Sequence, residues 1–265
     1  MMKRILLPFN MMGLFFIFLI SCGGETRNPS SSTDENEEIN TLDEEQTLSL
    51  KDTVIQGEGL QLSSLEYIKD YQNYKLELTT PLKGNLEEGE HILTFQLLDE
   101  KGKKIKQINN LRVGVMVNNE FYSSKPLEDL SFTLHLMSGN NVVFAYLINE
   151  KGNSVKSEST SVLENFYVGS GKSYFNKDQA HLFLIEPRNQ LPILDFFLFN
   201  VQLSKRGKRI KLTIDDEVFI LSNWQAYSIN GLDKGMHQIR MQLIDEKDEV
   251  VLGPFNDSGL RVVEI

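Results

Sequence analysis

From about residue 48 the chain consists of short runs in which apolar and polar residues alternate, separated by Gly, Asn, Asp and Lys, and no stretch keeps a 3.6-residue apolar period. Alternation with period two places successive side chains on opposite faces of a strand, so the pattern predicts strands throughout. Many short strands with polar turns between them predict an all-β, antiparallel sandwich architecture. One unit recurs. Gly89-Glu90-His91 leads into residues 92–98 and then Asp99-Glu100-Lys101-Gly102, and Gly235-Met236-His237 leads with the same spacing into 238–244 and Asp245-Glu246-Lys247-Asp248. A weaker copy runs from Gly139 through 142–148 into Asn149-Glu150-Lys151-Gly152. Each copy reads as a strand followed by a turn whose Asp or Asn bonds its own backbone and whose Gly or Asp tolerates a left-handed conformation. Leu111-Arg112-Val113 and Leu260-Arg261-Val262 are the expected return strands of the first two copies.

Within the first copy His91, Leu93, Phe95 and Leu97 share a face, matched by His237, Ile239, Met241 and Leu243 in the second, and these faces predict core. The middle copy is apolar on both faces: Val143, Ala145 and Leu147 on one, Val142, Phe144, Tyr146 and Ile148 on the other. A strand apolar on both sides is covered on both sides, which predicts a position near a junction between two halves of the molecule. Further on, residues 194–203 and 209–214 are expected to form a hairpin around 204–208, followed by strands at 218–221 and 227–229. The expected organisation is an N-terminal β-sandwich region over 47–168, as one domain or two smaller units, and a C-terminal sandwich over 169–265.

The start of the chain follows different rules. Lys3 and Arg4 precede an apolar stretch over 5–20, interrupted by Pro8 and Asn10 and ending at Ser21 and Cys22, which is the order of an export signal. The stretch is shorter than the roughly 20 residues that span a bilayer as a permanent helix. Leu19-Ile20-Ser21-Cys22 resembles the lipobox of bacterial lipoproteins. The resemblance implies removal of residues 1–21 and lipidation of Cys22, so that several acyl chains, at about 0.8 kcal/mol per buried methylene, hold the protein at a membrane. By the same analogy Gly23, where sorting for inner-membrane retention uses Asp, favours the outer membrane. Residues 23–46 carry eight acids against the single base Arg27 and almost no large apolar residue. Such a segment cannot bury enough surface to offset the entropy of ordering, so 22–46 is expected to be a disordered acidic tether, extended by its own charge.

Composition narrows the function classes. Hydrophobic residues make up 40% and charged residues 24% of the 265, which excludes wholesale disorder. A net charge of -10 excludes a basic surface of the kind that grips nucleic acid. One cysteine makes no internal disulfide and no cysteine-based zinc site. Asp195-Phe196-Phe197-Leu198-Phe199-Asn200, Leu203-Ser204, Thr213-Ile214, Trp224 with Tyr227, Gly231-Leu232 and Gly253-Pro254-Phe255-Asn256 together resemble a family of uncharacterised bacterial envelope lipoproteins with Ig-like β-sandwich domains. The likeness covers 169–265 well and 47–168 loosely; it implies two Ig-like sandwiches and supplies no catalytic residue. Some members carry a phosphopeptide-binding label, for which no motif is visible in this chain.

Candidate chemistry is sparse. Lys205, Arg206, Lys208, Arg209 and Lys211 form a positive stripe on an acidic chain, which suits an anionic partner, with protection of an exposed edge strand as the plainer account. Trp224 and Tyr227 are candidates for stacking a glycan, with core filling as the plainer use. His91 and His237 hold equivalent positions, which points to structure, and neither His135 nor His181 has a second ligand at metal-binding spacing. The carboxylates at Asp99-Glu100 and Asp245-Glu246-Asp248 suit solvated turns better than calcium, which needs six to eight oxygens. There is no Gly-x-Ser-x-Gly elbow, phosphate-cradling loop or dinucleotide fingerprint, so no cofactor and no metal is expected. The expected function is non-catalytic binding or scaffolding of an envelope protein or glycan. The rival is an envelope hydrolase or glycan-processing accessory protein with its site between the two halves.

Overall fold

The structure is a computed structural model that describes residues 54–66, 71–81, 86–187 and 192–265. Cys22, the signal segment and the acidic tether lie outside the described residues. The strands in chain order are β1 (Val54–Gln56), β2 (Gln61–Ser64), β3 (Lys75–Thr80), β4 (Gly89–Leu98), β5 (Lys104–Ile105), β6 (Arg112–Val117), β7 (Glu120–Pro126), β8 (Ser131–Leu136) and β9 (Gly139–Ile148). A 3-10 turn (Glu158–Thr160) separates these from β10 (Ser161–Val168), β11 (His181–Ile185), β12 (Ile193–Phe199), β13 (Arg209–Ile214), β14 (Glu217–Leu221), β15 (Tyr227–Asn230), β16 (Met236–Ile244) and β17 (Arg261–Glu264).

The strands build two Ig-like antiparallel sandwiches of the same design. In the first, β3-β4-β8 faces β10-β9-β6-β7, with β5 extending the far end of β4. In the second, β11-β12-β15 faces β14-β13-β16-β17, so apart from β5 and the added β1 and β2 each strand has a counterpart at the same place in the other sandwich. Alternation sets the inner faces. Leu93, Phe95 and Leu97 of β4 meet Val113, Val115, Val143, Ala145 and Leu147 in the first core, and Ile239, Met241 and Leu243 of β16 meet Leu182, Leu194, Phe196 and Leu198 in the second.

A third apolar cluster joins the sandwiches face to face. Met116, Val142, Phe144, Tyr146 and Leu163 on the outer side of β10-β9-β6 pack against Phe183, Ile185, Phe197 and Phe199 of β11 and β12. The four sheets are therefore stacked layers, and β9, apolar on both faces, lies inside the stack. Phe144 is the hub: its ring lies 4.7 Å from Phe183, 4.9 Å from Phe197 and 5.3 Å from Phe199, tilted or edge-on.

The repeated turn is built identically three times. Asp99, Asn149 and Asp245 each accept, through Oδ1, the N–H two and four residues on, at 2.8 to 3.0 Å. Gly102, Gly152 and Asp248 stand in the left-handed region at φ 75°, 85° and 64°, where Gly is the least strained choice and Asp a tolerated one.

Pairing departs from expectation in three places. Leu260-Arg261-Val262 feeds β17, which pairs with β16, but Leu111-Arg112-Val113 feeds β6, which crosses to the opposite sheet and pairs with β7 and β9. Residues 194–203 and 209–214 form no hairpin; β12 pairs with β11 and β15, and the chain through 200–208 crosses between sheets to β13. Finally β1 and β2, placed ahead of the first sandwich in the chain, form a hairpin that adds to β15 and so belongs to the second.

Candidate functional site

The junction carries a buried charged network that the sequence pattern did not single out. After the Asn149 turn the chain presents Ser154 and Lys156 to Asp195 of β12, with the Lys156 and Asp195 side chains only 4% and 6% exposed. Lys156 Nζ makes an ion pair with Asp195 Oδ1 and donates to Ser154 Oγ at 2.8 Å and to the Phe196 carbonyl. Asp195 Oδ2 accepts the Ser154 N–H at 2.7 Å, and Oδ1 also accepts the Phe196 N–H at 2.8 Å and Ser154 Oγ at 3.1 Å. Burial pushes the lysine pKa down, opposed by the attraction of Asp195. Both carboxylate oxygens are engaged, so this is a weld between sandwiches and not a poised nucleophile or base. Its trace in the sequence is one acid inside the apolar run Ile193-Leu194-Asp195-Phe196-Phe197.

Above the network the sandwiches leave a cavity of about 250 Å³ lined by Arg112, Tyr146, Lys151, Ile185, Glu186 and Asp195 among others. Arg112 holds Ser124, its Nε donating to the hydroxyl at 3.2 Å and its Nη2 to the carbonyl at 2.6 Å. Glu186 lies 3.7 Å from Arg261, which also pairs with Glu120. Among the described residues no group of three His, Cys, Asp or Glu could hold a metal, and no helix is long and apolar enough to cross a membrane.

The residues picked out from sequence are scattered. Lys205, Arg206 and Lys208 are exposed around a turn closed by the Ser204 N–H to Lys208 carbonyl bond. Arg209 is half-buried, donating to the Asp245 carbonyl at 2.8 Å and pairing with Asp248 at 3.0 Å, so it is unavailable to an anion. Lys211 lies on β13, flanked by β14 and β16. Edge protection therefore does not explain the stripe, because its strand is interior. Nearby Arg240 is matched by Asp257, whose carboxyl it holds down to about 2, and this reduces the positive face further.

Tyr227 is wholly buried, its hydroxyl donating to the Asn223 carbonyl at 3.3 Å. It is a core residue and cannot stack a sugar. Trp224 is half-buried, with Nε1–H donated to the Phe196 carbonyl at 3.2 Å and its ring edge-on to Phe197 at 4.9 Å. It lines a surface depression of about 340 Å³ with Val201, Leu203 and Asn223, without the second aromatic expected from the sequence.

Three of the four histidines are structural. Nε2 of His91 contacts the Glu87 carbonyl at 2.7 Å and Nε2 of His237 the Asp233 carbonyl at 2.8 Å, the same four-residue relation in both copies. His237 has a second partner, Asp215, at 2.8 Å; that carboxylate, with the Asp233 carbonyl, raises the imidazole pKa. His181 is fully buried, stacked on Phe175 at 4.7 Å, and burial lowers its pKa. His135 is exposed on the outer face of β8.

One further surface has site-like geometry. A groove of about 860 Å³ runs along β10, touching every residue from Ser161 to Tyr167, with Lys75, Glu77 and Leu78 of β3 on its opposite wall.

No family model matches the chain, and no curated protein matches it. Among solved structures it is similar to the fibronectin(III)-like modules of Clostridium thermocellum CbhA, at 16% identity over 71% of this chain and 92% of that one, with a TM-score of 0.25. It is also similar to a two-domain fibronectin type-III segment of chicken tenascin, at 13% identity over 73% and 99% of the chains and a TM-score of 0.22. A third is SGBP-B of a Bacteroides ovatus mixed-linkage glucan utilization locus, in complex with a heptasaccharide, at 10% identity, 72% and 70% coverage and a TM-score of 0.24. Likenesses this loose transfer no site, and the β-sandwich architecture rests on the sheets described above.

Proposed function

We propose that this protein is a lipoprotein of the bacterial outer membrane, anchored through acylated Cys22, that carries a rigid, non-catalytic binding or scaffolding body on the acidic tether of residues 22–46. The observation supporting the non-catalytic reading is the fate of the charged groups at the sandwich junction, where a hydrolase would have its site. Asp195 has both oxygens engaged by Lys156, Ser154 and Phe196, and Arg112 is committed to Ser124. A general acid or base needs a free proton site within reach of substrate, and these groups are occupied in holding the layers together. A body of four stacked sheets suits the display of loops and strand edges to a partner.

The test is metabolic labelling of cells with radiolabelled palmitate, followed by separation of the inner and outer membranes. Label in the outer-membrane fraction, lost in Cys22→Ser, is the expected result; an unlabelled protein released to the soluble fraction overturns the anchor. Hydrolysis of envelope glycan or ester substrates by the purified protein, abolished by Glu186→Gln, would overturn the non-catalytic reading in favour of the junction enzyme.

A further inference from the structure

Sheet edges in this molecule are mostly closed to newcomers. β1, β11, β14 and β17 have three to five residues each. β3 and β7 contain register shifts that break a regular ladder. The β8 edge has its Ser131 and Thr133 carbonyls taken by Lys125 and Tyr122. β10 differs: it runs eight residues, keeps unbroken register with β9, and borders the open groove.

Its backbone direction follows from its neighbour. Val142 of β9 gives its N–H to the Asn118 side chain and its carbonyl to the Asn118 N–H, on the side away from β10. Opposed residues of an antiparallel pair either both bond each other or both point away. Asn165, opposite Val142, and Leu163, opposite Phe144, therefore direct their N–H and C=O groups into the groove. Among the described residues the only other pairing of β10 is a bridge from Leu86 to Val168 at its end. The side chains on the groove side of the core alternate as well. Val162 and Phe166 are partly buried against the first core, and between them stands Glu164, 41% exposed and paired with Lys177 at 3.3 Å.

We propose that β10 accepts an extended segment of a partner polypeptide as an added strand, with a basic side chain of that segment opposite Glu164 and apolar ones opposite Val162 and Phe166. A ladder of outward N–H and C=O groups is complemented by another extended backbone, which makes polypeptide the ligand class. The apolar–acidic–apolar order along β10 selects its mirror, apolar–basic–apolar, through cross-strand pairs. Lys177 is a solvent-exposed partner whose ion pair is readily exchanged. The inference rests on the binding reading above and names its ligand.

The probe is a fluorescein-labelled nonapeptide with valine, lysine and phenylalanine at alternate positions about its centre and threonine between them. Binding to the purified full-length protein is followed by fluorescence polarisation. Asn165→Pro removes an N–H that β9 does not use, and an edge strand tolerates proline there. Asn165→Ala removes the same side chain but keeps the donor. Expected results are binding by wild type and Asn165→Ala, weakening of about tenfold in Asn165→Pro, and exchange of preference to a glutamate-centred peptide in Glu164→Lys. Absence of peptide binding, or equal binding by Asn165→Pro and Asn165→Ala, overturns strand addition. Wild-type self-association in sedimentation that Asn165→Pro abolishes overturns the separate partner, since the occupant would then be a second copy. Each of these failures leaves palmitate labelling and the turnover assay untouched, so they are distinguishable from failure of the parent reading.

Discussion

β9 and β16 occupy the same place in the two sandwiches, are entered through a positive-φ Gly (Gly139 and Gly235) and end in the same turn, yet one is sealed on both faces and the other is open on one. Aligned from Gly139 and Gly235, the inward residues are interchangeable in kind: Val143, Ala145 and Leu147 against Ile239, Met241 and Leu243. The outward residues are not. Val142, Phe144 and Tyr146 in β9 become Gln238, Arg240 and Gln242 in β16. The turn and the inner face specify the hairpin, and the outer face alone decides whether a third layer is laid on it.

Exchanging those outer residues should break the comparison most severely. Phe144→Arg would leave a guanidinium unpaired among Phe183, Phe197 and Phe199, and is expected to cost more than about 4 kcal/mol in denaturant unfolding. The reciprocal Arg240→Phe faces solvent; a stability change within about 1 kcal/mol is expected, with self-association in sedimentation as the visible effect. The weld between the sandwiches comes next. Lys156→Ala strands Asp195 and is expected to cost about 3–5 kcal/mol. Replacing both partners, as Lys156→Met with Asp195→Leu, should recover part of this and stop about 1–3 kcal/mol short, because the Ser154 N–H loses its acceptor. Equal losses in single and double variants would show that packing, not charge, fastens the junction.

The smallest effect sharpens the comparison at its starting residues. Where β16 has His237, β9 has Asn141, buried and bonded to the carbonyls of Met137, Gly139 and Phe166 without any titrating group. The His237 pKa is raised in the folded protein, so its contribution is complete below the ordinary histidine value of about 6.5 and is lost as pH rises through the higher folded value. Asp215 is held low, chiefly by the Gln238 N–H and then by His237, so its share is complete above about 4 and is lost on further acidification. The stability difference between wild type and His237→Asn should therefore be greatest between about pH 4 and pH 6.5 and shrink on either side. A difference independent of pH in thermal melts would assign His237 to packing alone.

What was legible in the chain was local. The inner faces of β4 and β16, the three Asx turns and the double-sided burial of β9 follow from period two and from turn chemistry, both of which act over a few residues. Partner choice acts over the whole chain and left little local trace. Two identical Leu-Arg-Val triplets go to different neighbours, and the polar loop at 200–208, short enough for a hairpin, instead crosses between sheets. Tyr227 shows the same limit, since an aromatic beside a lone Trp reads as a surface platform until the sheet covering it is known. Asp195 was visible as an acid in an apolar strand, but its partner lies 39 residues earlier in another sandwich.

The hairpin of β1 and β2 makes the first sandwich an insertion within the second. β2 pairs with β15 across the whole intervening chain, Ser63 meeting Ser228 at a separation of 165 residues. During synthesis the first sandwich has all its strands once Val168 has emerged, whereas the opening hairpin must wait for almost the last strands before its own sheet can close. Released from the ribosome, a fragment ending near residue 200 would therefore present one finished sandwich and, beside it, an apolar flank of β11 and β12 still awaiting its cover.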